Sequence, residues 1–170
     1  MATPPILDPA DHQFQGAISF TGSVSLPAAV VTDAAVATGA NIAGTKLVHY
    51  VHATHHQAGT VAAKTEQIFL AYKAGTLYSL AASIDTAITG DNTVVIDVKK
   101  STAGGAWSSV LSGTTTFNSS TVARTPAALS ISGTPTFIAN DMLQVIVTVA
   151  GSGTQATGLI VRAVVAENGT

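Results

Sequence analysis

The sequence predicts an all-β protein built on one antiparallel β-sandwich, preceded by an extended N-terminal arm and one short helix. From residue 61 onward, short apolar stretches are separated by Gly, Ser, Thr and Asn. Hydrophobic residues make up 46% of the chain but aromatic residues only 5%, which favours a core of thin, closely packed layers. Short strands with frequent turn signals are typical of sandwiches and jelly rolls. We therefore expect a jelly-roll-like sandwich.

The scarcity of charge is the most unusual feature of the composition. Only 9% of the 170 residues are charged, whereas ordinary soluble domains carry roughly 25%. A surface so poor in charge gives little repulsion between copies. Either a small domain stays soluble through its hydroxyl groups, or much of its surface is buried against other copies or a larger assembly. The second interpretation is favoured and predicts an assembling protein.

The same composition disfavours several classes of partner. The net charge is −2 and the basic residues are spread thinly, so a clustered basic face for nucleic acid is missing. Without cysteine, no disulfide or sulfur-ligated zinc is expected. The N-terminus lacks the pattern of a secretory signal, and the most apolar stretch, residues 68–84, is interrupted by Lys73 and Gly75. We expect no nucleic acid or membrane partner, and synthesis in a cytoplasm.

Residues 1–58 are predicted to serve anchoring and assembly, and residues 59–170 to form the sandwich. The first thirteen residues contain three prolines and no periodic pattern, which predicts an extended arm. From Phe14 to Leu26, apolar residues spaced by Gly and Ser predict one or two short strands. At 170 residues the chain is long enough for one good core.

Residues 32–47 form the predicted helix. Thr32 or Asp33 can cap its first turn, and apolar residues from Val36 to Leu47 recur at helical spacing. Two glycines inside the segment predict a short or broken helix. Its apolar stripe must pack against the sheet or against another subunit.

Seven strands are predicted in the sandwich domain. Alternation is clearest where Val94, Ile96 and Val98 face one side. The Ser- and Thr-rich segment 112–125 is expected to be a loop or an edge hairpin. The predicted strands span residues 65–73, 77–84, 93–100, 107–111, 129–131, 142–149 and 158–165.

Four histidines between residues 49 and 56 form the densest chemical signal. In an extended strand, His49 and His55 would point to one face. His52 and His56 would point to the other, so one chain cannot easily gather all four. On a three-fold axis a single histidine supplies three imidazoles, which are common metal ligands. The alternatives are an axial metal or anion site, a pH-sensitive contact, or a polar linker between helix and sandwich.

An enzymatic site is not predicted, and no cofactor is expected. A Ser-His-Asp hydrolase of the α/β type needs a Gly-x-Ser-x-Gly elbow, which is missing, and no histidine follows residue 56. Paired carboxylates for glycoside hydrolysis are not expected, because Glu66 and Asp97 are predicted to be isolated on strands. The glycines at 104–105 and 151–153 are typical of turns between strands and not of phosphate loops.

Trp107 provides a weaker signal for a ligand. Together with Tyr72 and Tyr78 it offers aromatic faces on which a sugar can stack. Aromatic residues scattered over separate strands are more often core or rim residues. Carbohydrate binding through Trp107 therefore remains an alternative.

Three segments near the N-terminus form a recognisable pattern: FTGSVSLP at 20–27, VTDAAV at 31–36 and ANIAGTKL at 40–47. This pattern resembles a cassette of tailed-bacteriophage structural proteins, including head-fibre, decoration and tail-fibre proteins. The segment NDMLQVIV at 140–147 is similar to the start of the penultimate strand in trimeric viral and phage jelly rolls. The resemblance implies a non-enzymatic, trimeric virion component whose arm and helix bind the particle or neighbouring subunits. It carries over no catalytic residue.

The expected function is that of a capsid decoration or cement protein, or a short head fibre, which stabilises the particle from the virion surface. A long fibre is disfavoured because the chain has no heptads or repeated shaft. Expected partners are further copies in a homotrimer, the major capsid protein or other virion proteins, and as a further candidate a host-surface glycan. The alternatives are a receptor- or carbohydrate-binding module of a tail or baseplate protein, and a cellular trimer of the tumour-necrosis-factor type. The residues expected to mediate assembly are Phe14, Ile18, Phe20, Val24, Leu26, Val36, Ile42 and Leu47.

Overall fold

A computed structural model describes residues 48–168, and the regular structure within that range is entirely β. The predicted helix at 32–47 and the eight predicted assembly residues, from Phe14 to Leu47, lie outside the described residues. The strands are β1 (Val48–Thr60), β2 (Lys64–Leu70), β3 (Gly75–Ser83), β4 (Thr93–Ser101), β5 (Trp107–Ser109), β6 (Thr115–Phe117), β7 (Ala127–Ala128), β8 (Thr136–Phe137), β9 (Met142–Ala150) and β10 (Thr157–Asn168).

These strands form two five-stranded antiparallel sheets. Sheet A has the order β1-β10-β3-β7, and β8 also pairs with β3. Sheet B has the order β2-β9-β4-β5, and β6 also pairs with β4. The all-β class and the antiparallel sheets predicted from the sequence are confirmed. No helix in the described part of the chain is long and apolar enough to cross a membrane.

One hydrophobic cluster lies between the sheets. Leu159 and Val161 of sheet A and Val94, Ile96 and Val98 of sheet B are fully buried in it. Apart from two phenylalanines, the buried members of the cluster are Ala, Val, Leu and Ile. Burying each Val or Leu side chain contributes roughly 1.5–3 kcal/mol. The core is thus built from small side chains in thin layers, as the low aromatic content predicts.

Most predicted strands are present, with shifted ends, but the strand predicted at 129–131 is wrong. Strand pairing in this region is limited to Ala127–Ala128, which lies opposite Ala81 and Ala82 of β3. Farther along, Leu111 and Ile131 form only an isolated bridge. By residue 130 the backbone has changed its hydrogen-bonding partner from β3 to the segment after β5. The carbonyl of Ser130 accepts a hydrogen bond from the N–H of Ser112. Within the segment 112–125, β6 pairs with β4 as a single short strand, and the structure gives no second strand there that would make a hairpin.

β1 occupies the segment that the sequence analysis assigned to the N-terminal region. It pairs with β10 from Val48, opposite Asn168, to Gln57, opposite Leu159. The predicted boundary between residues 58 and 59 therefore falls inside a strand of sheet A. Histidine, tyrosine and threonine on the outward positions of this edge strand conceal the alternation that marks the other long strands.

A buried ion pair fastens one end of the sandwich. Asp141 is fully buried, and one of its carboxylate oxygens lies 2.8 Å from Nζ of Lys100 in β4. The carboxylate also accepts hydrogen bonds from the N–H groups of Ile138 at 3.0 Å and Ala103 at 3.2 Å. Nζ of Lys100 donates in addition to the carbonyl of Thr136 in β8, at 2.6 Å. Since β4 belongs to sheet B and β8 to sheet A, this cluster joins the two sheets.

The surroundings of Asp141 favour its charged form. Burial alone would raise the pKa of its carboxyl group. The hydrogen bond from Lys100, the backbone hydrogen bonds and the lysine charge together outweigh burial and hold the pKa below its ordinary value of 3.8. The carboxylate therefore remains ionised in the fold at neutral pH.

Replacing Asp141 should destabilise the sandwich strongly. We expect Asp141→Asn to lower the free energy of unfolding by about 3 kcal/mol or more, because Lys100 would keep its charge without a carboxylate partner. The matched control is Asp85→Asn, which removes the exposed pair between Asp85 and Arg124, 2.8 Å apart. That change should cost at most about 1 kcal/mol. Urea unfolding of both variants measures the difference, and equal losses would contradict the role of the buried pair.

Acid should weaken the fold through the same group. Because the folded-state pKa of Asp141 is depressed, the unfolded chain takes up its proton first as the pH falls. The stabilising effect of the Asp141 carboxylate is complete at pH values above its ordinary pKa of 3.8. It is lost as the pH falls through the lower pKa that Asp141 has in the folded state. Urea midpoints measured from pH 7 to pH 2 should fall less steeply in Asp141→Asn than in the natural sequence. Parallel curves would show that this carboxylate does not control the acid sensitivity.

Candidate functional site

The outer faces of the two sheets differ in chemistry. The outer face of sheet B mixes hydroxyl, amide, apolar and charged side chains, and its charges Asp97 and Lys99 lie 3.8 Å apart as a pair. Such a mixed polar face is suited to contact with water. The outward residues of its three longest strands are Thr65, Gln67, Val95, Asp97, Lys99, Gln144, Ile146 and Thr148.

The outer face of sheet A is aromatic and basic. Strand pairing aligns its residues in four rows across β1, β10 and β3, and no residue in these rows is acidic. Arg162 carries the permanent charge of the rows. From one end of the face to the other, the rows are Tyr50-Ala166-Thr76, His52-Val164-Ser79, Thr54-Arg162-Ala81 and His56-Ile160-Ser83.

Two tyrosines meet on this face across the intervening strand β10. The ring centroids of Tyr50 and Tyr78 are 5.1 Å apart and the ring planes are inclined by 68°, an edge-to-face arrangement. A shift of register between Val164 and Val165 leaves Tyr78 without a partner in β10, and such bulges redirect side chains. Ala166, the residue opposite Tyr50, is small enough for the rings to approach. The two rings are 54% and 65% exposed.

The tyrosine pair borders a shallow cleft of about 480 Å³, which we name the tyrosine cleft. Val164 lies on the outer face yet is only 7% exposed, which indicates that neighbouring side chains cover it. The cleft therefore combines aromatic faces with hydroxyl, imidazole and guanidinium groups. Its lining residues are Tyr50, His52, Tyr78, Ser79, Arg162 and Val164.

Arg162 is exposed on this face. Among residues 48–168, no carboxylate oxygen lies within 4.0 Å of its side-chain nitrogens. The guanidinium also borders a second depression of about 180 Å³ beside Ile160 and Pro126. An arginine in this setting can offer its planar set of N–H donors to an anionic ligand.

β1 distributes the four predicted histidines over different environments. His52 lines the tyrosine cleft, and His56 lies on the same face opposite Ile160. His49 is exposed near the start of the strand, and His55 is fully buried. In the described part of the chain, no three His, Cys, Asp or Glu side chains are placed to hold a metal ion. The axial metal site therefore stays a prediction about an assembly of chains.

His55 is held in the interior by two neighbours. Its Nδ1 lies 2.7 Å from Oε2 of Glu66 in β2, and its Nε2 lies 3.0 Å from the amide nitrogen of Gln57. Because an amide nitrogen can only donate, Nε2 accepts and the Nδ1–H donates to Glu66. Gln57 also bonds the N–H and the carbonyl of Ala62 in the connection to β2. This polar cluster joins sheet A to sheet B.

Glu66 is stabilised as a carboxylate. A hydrogen bond from Lys64, 2.9 Å away, and then the one from His55 lower the pKa of Glu66 from its ordinary value of 4.5. Both nitrogens of His55 are occupied, one by this carboxylate and one by an amide. The cluster thus binds two strands together and presents no free imidazole nitrogen to a substrate.

Trp107 lies on the edge strand β5, half-buried and opposite Ser101. A shallow cleft of about 310 Å³ lies beside this strand, but its lining includes Ala106 and Ser108 and not Trp107. Tyr72 lies between β2 and β3, and Tyr78 lies on the outer face of sheet A. The structure therefore places the three aromatic residues of the predicted sugar site on different elements.

Exposed apolar residues gather at the end of the sandwich where β1 begins. Leu70, Tyr72 and Ile138 are 63%, 84% and 56% exposed. Backbone hydrogen bonds between Ala71 and residues 140–141 bring the β2–β3 and β8–β9 connections together there. Val48, at the start of β1, is 54% exposed. We name the surface formed by Val48, Leu70, Tyr72 and Ile138 the apolar end.

The sequence analysis missed the tyrosine cleft as a group. The sequence patterns predict a ligand-binding role for Tyr78 only together with Trp107. They predict no such role for Tyr50 or Arg162. One usable signal was the even positions of β1, where Tyr50 and His52 precede Thr54 and His56 on one face. A second signal was Arg162, the one charged residue in the predicted apolar strand 158–165.

No protein-family model matches this chain, and no curated protein is similar to it in sequence. Among solved structures, the chain is similar to one from Desmodium yellow mottle tymovirus. The two share 13% identical residues with a TM-score of 0.35, over 100% of this chain and 97% of that chain.

Removing the Gln57 amide should weaken the junction between β1 and β2. We expect Gln57→Leu to lower the free energy of unfolding by about 1–3 kcal/mol, because Nε2 of the buried His55 would lose its donor. Gln67→Leu on the exposed outer face of sheet B is the matched control and should change stability by less than about 0.5 kcal/mol. Chemical denaturation measures both values. Equal effects would mean that the polar cluster contributes nothing specific.

Proposed function

We propose that this chain is a non-enzymatic virion structural protein, a capsid decoration protein or short head fibre of a tailed bacteriophage, that assembles as a homotrimer. Its location would be the virion surface, after synthesis in the host cytoplasm. Its partners would be further copies and the major capsid protein or other virion proteins. The resemblance of residues 20–47 to phage structural proteins and the low charge of the chain both support this proposal.

The strand order supports a jelly-roll type of sandwich. The chain crosses from one sheet to the other at β1–β2, β2–β3, β3–β4, β6–β7, β8–β9 and β9–β10. β5 and β6 both pair with β4, and β7 and β8 both pair with β3. If each of these short pairs counts as one position, each sheet has four strand positions, which is the eight-stranded plan of a jelly roll. This fold is compatible with many functions, so it supports the proposal only together with a surface.

The apolar end is the observation that carries the proposal. Tyr72 and Ile138 expose apolar surface on loops, where polar residues are usual, and Leu70 does so at the last residue of β2. β1 begins at this end with Val48, the first residue that the structure describes. A trimer packed around this end would bury these apolar side chains between copies.

A second candidate function is a receptor- or carbohydrate-binding module of a tail or baseplate protein. The tyrosine cleft favours it, because the cleft offers aromatic faces and hydrogen-bonding groups on a rigid sheet. The cleft and the apolar end share no residue, but they are neighbours, because Val48 and Tyr50 lie two residues apart on the outer side of β1.

The mass of the full chain in solution tests the trimer. Light scattering over a range of concentrations should give three times the chain mass of 17.0 kDa. A monomer at every concentration would contradict a preformed trimer. Repeating the measurement with a chelator tests the axial histidines, because dissociation on chelation would identify a bound metal and an unchanged mass would exclude that role in assembly.

Substitution at the apolar end should weaken the trimer. We expect the double variant Tyr72→Ser/Ile138→Ser to dissociate at concentrations where the natural sequence is trimeric, because these side chains would be buried between copies. Val122→Ser is the matched control, since Val122 is 67% exposed and lies next to Arg124, which bonds the end of β3 away from the apolar end. Dissociation of the control to the same extent would contradict this interface.

A further inference from the structure

We propose that the tyrosine cleft binds an acidic saccharide, with the guanidinium of Arg162 holding the carboxylate of the sugar and the rings of Tyr50 and Tyr78 stacking against its apolar face. This inference rests on the second candidate function, glycan binding, and names the ligand class. It does not depend on the trimer.

The charge of the face argues for an anionic ligand. The four rows across β1, β10 and β3 contain no carboxylate. Within residues 48–168, Arg162 and Lys73 have no carboxylate oxygen within 4.0 Å, whereas Lys64, Lys99, Lys100 and Arg124 each have one, and of these two unpaired cations Arg162 lies in the cleft. A carboxylate matches the fork of a guanidinium and can form two parallel hydrogen bonds with it.

The lining of the cleft argues for a sugar as the carrier of that anion. Saccharides present C–H groups on one side, which pack on aromatic rings, and hydroxyl groups around their edge. The inclined rings of Tyr50 and Tyr78 present apolar surface at the rim. Their hydroxyl groups, the hydroxyl of Ser79 and the imidazole of His52 are available to the sugar hydroxyls. The volume of about 480 Å³ lies within the usual range of about 300–1,000 Å³ for small-ligand sites.

Two other classes of occupant fit this face less well. Nucleic acid binding depends on several basic residues along the backbone path, and Arg162 is the one permanent cation in the rows. A protein partner needs roughly 800 Å² of contact with an apolar centre. Away from the cleft, however, most row positions are small or polar, among them Thr54, Ala81 and Ser83.

The test is a binding titration of the full chain, followed by NMR or calorimetry, with two pairs of sugars. Tri-galacturonic acid is compared with its fully methyl-esterified form, and sialyllactose with lactose. We expect saturable binding of at least one acidic sugar and weaker binding of its neutral counterpart. No saturable binding of either acidic sugar at millimolar concentration would overturn the proposal.

Substitutions test separately the two parts of the site, the guanidinium of Arg162 and the tyrosine rings. Arg162→Gln should lower the affinity for the acidic sugar about tenfold or more and leave the neutral counterpart unchanged, because only the charged hydrogen bonds are lost. Tyr78→Ala should lower the affinity for both members of a pair. Arg124→Gln and Val122→Ser, two exposed residues outside the cleft, are the matched controls and should change neither affinity.

Light scattering on the same samples separates the two proposals. Loss of the oligomer in Tyr78→Ala would identify the face as a protein interface and overturn the saccharide site. A stable trimer that binds no acidic sugar would also overturn this inference but leave the assembly function standing. A monomer that binds the acidic sugar through Arg162 would support the saccharide site and contradict the trimer.

Discussion

The burial of the Asp141 carboxylate is the constraint on which one end of the sandwich depends. A buried charge is tolerated only when it is paired and hydrogen-bonded, and here the donors come from β4, from the loop after β4 and from the turn before β9. Lys100 can satisfy Asp141 and the carbonyl of Thr136 at once only if the two sheets are in register at this end. The loops that carry Tyr72 and Ile138 are therefore held close together. Their exposed apolar side chains form a defined surface for this reason.

The other surface depends on a polar contact on the opposite side of β1. His55 points inward to Glu66 and Gln57, and the alternation of a strand then turns Tyr50, His52 and Thr54 outward. A slip of one residue in the register between β1 and β10 would move this entire set to the core face. The buried His55 and its partners, on the inward side of β1, thus position the residues of the tyrosine cleft.

The sequence predicts the parts of this fold in which apolar and polar residues alternate regularly. β4, β9 and β10 belong to this group, because Val94, Ile96 and Val98 in one strand and their equivalents in the others mark the core face. β1 is not predicted in this way, because its outward side is made of polar residues and its inward residue His55 is itself polar. The partner of His55, Glu66, lies in the following strand, and the sequence pattern does not show that the two side chains meet. The tyrosine cleft cannot be predicted from the sequence for a different reason. Tyr50 and Tyr78 lie on strands that are not neighbours in the sheet, and only the insertion of β10 between them, with a bulge at the right position, brings their rings together.

Because charged residues are scarce in this chain, the position of each remaining charged side chain is a more specific indication of its role. Within residues 48–168, four of the six basic side chains have a carboxylate within 4.0 Å. One of these pairs, Lys100 with Asp141, fastens the sheets. Arg162 is different, because its strand neighbours Thr54 and Ala81 are uncharged and its face holds no acid. On an ordinary, highly charged surface, one exposed arginine would not by itself indicate a binding site. On this surface it is the permanent cation of a face that also holds two exposed tyrosines, and Tyr and Arg are the residues that most often dominate the energetics of recognition.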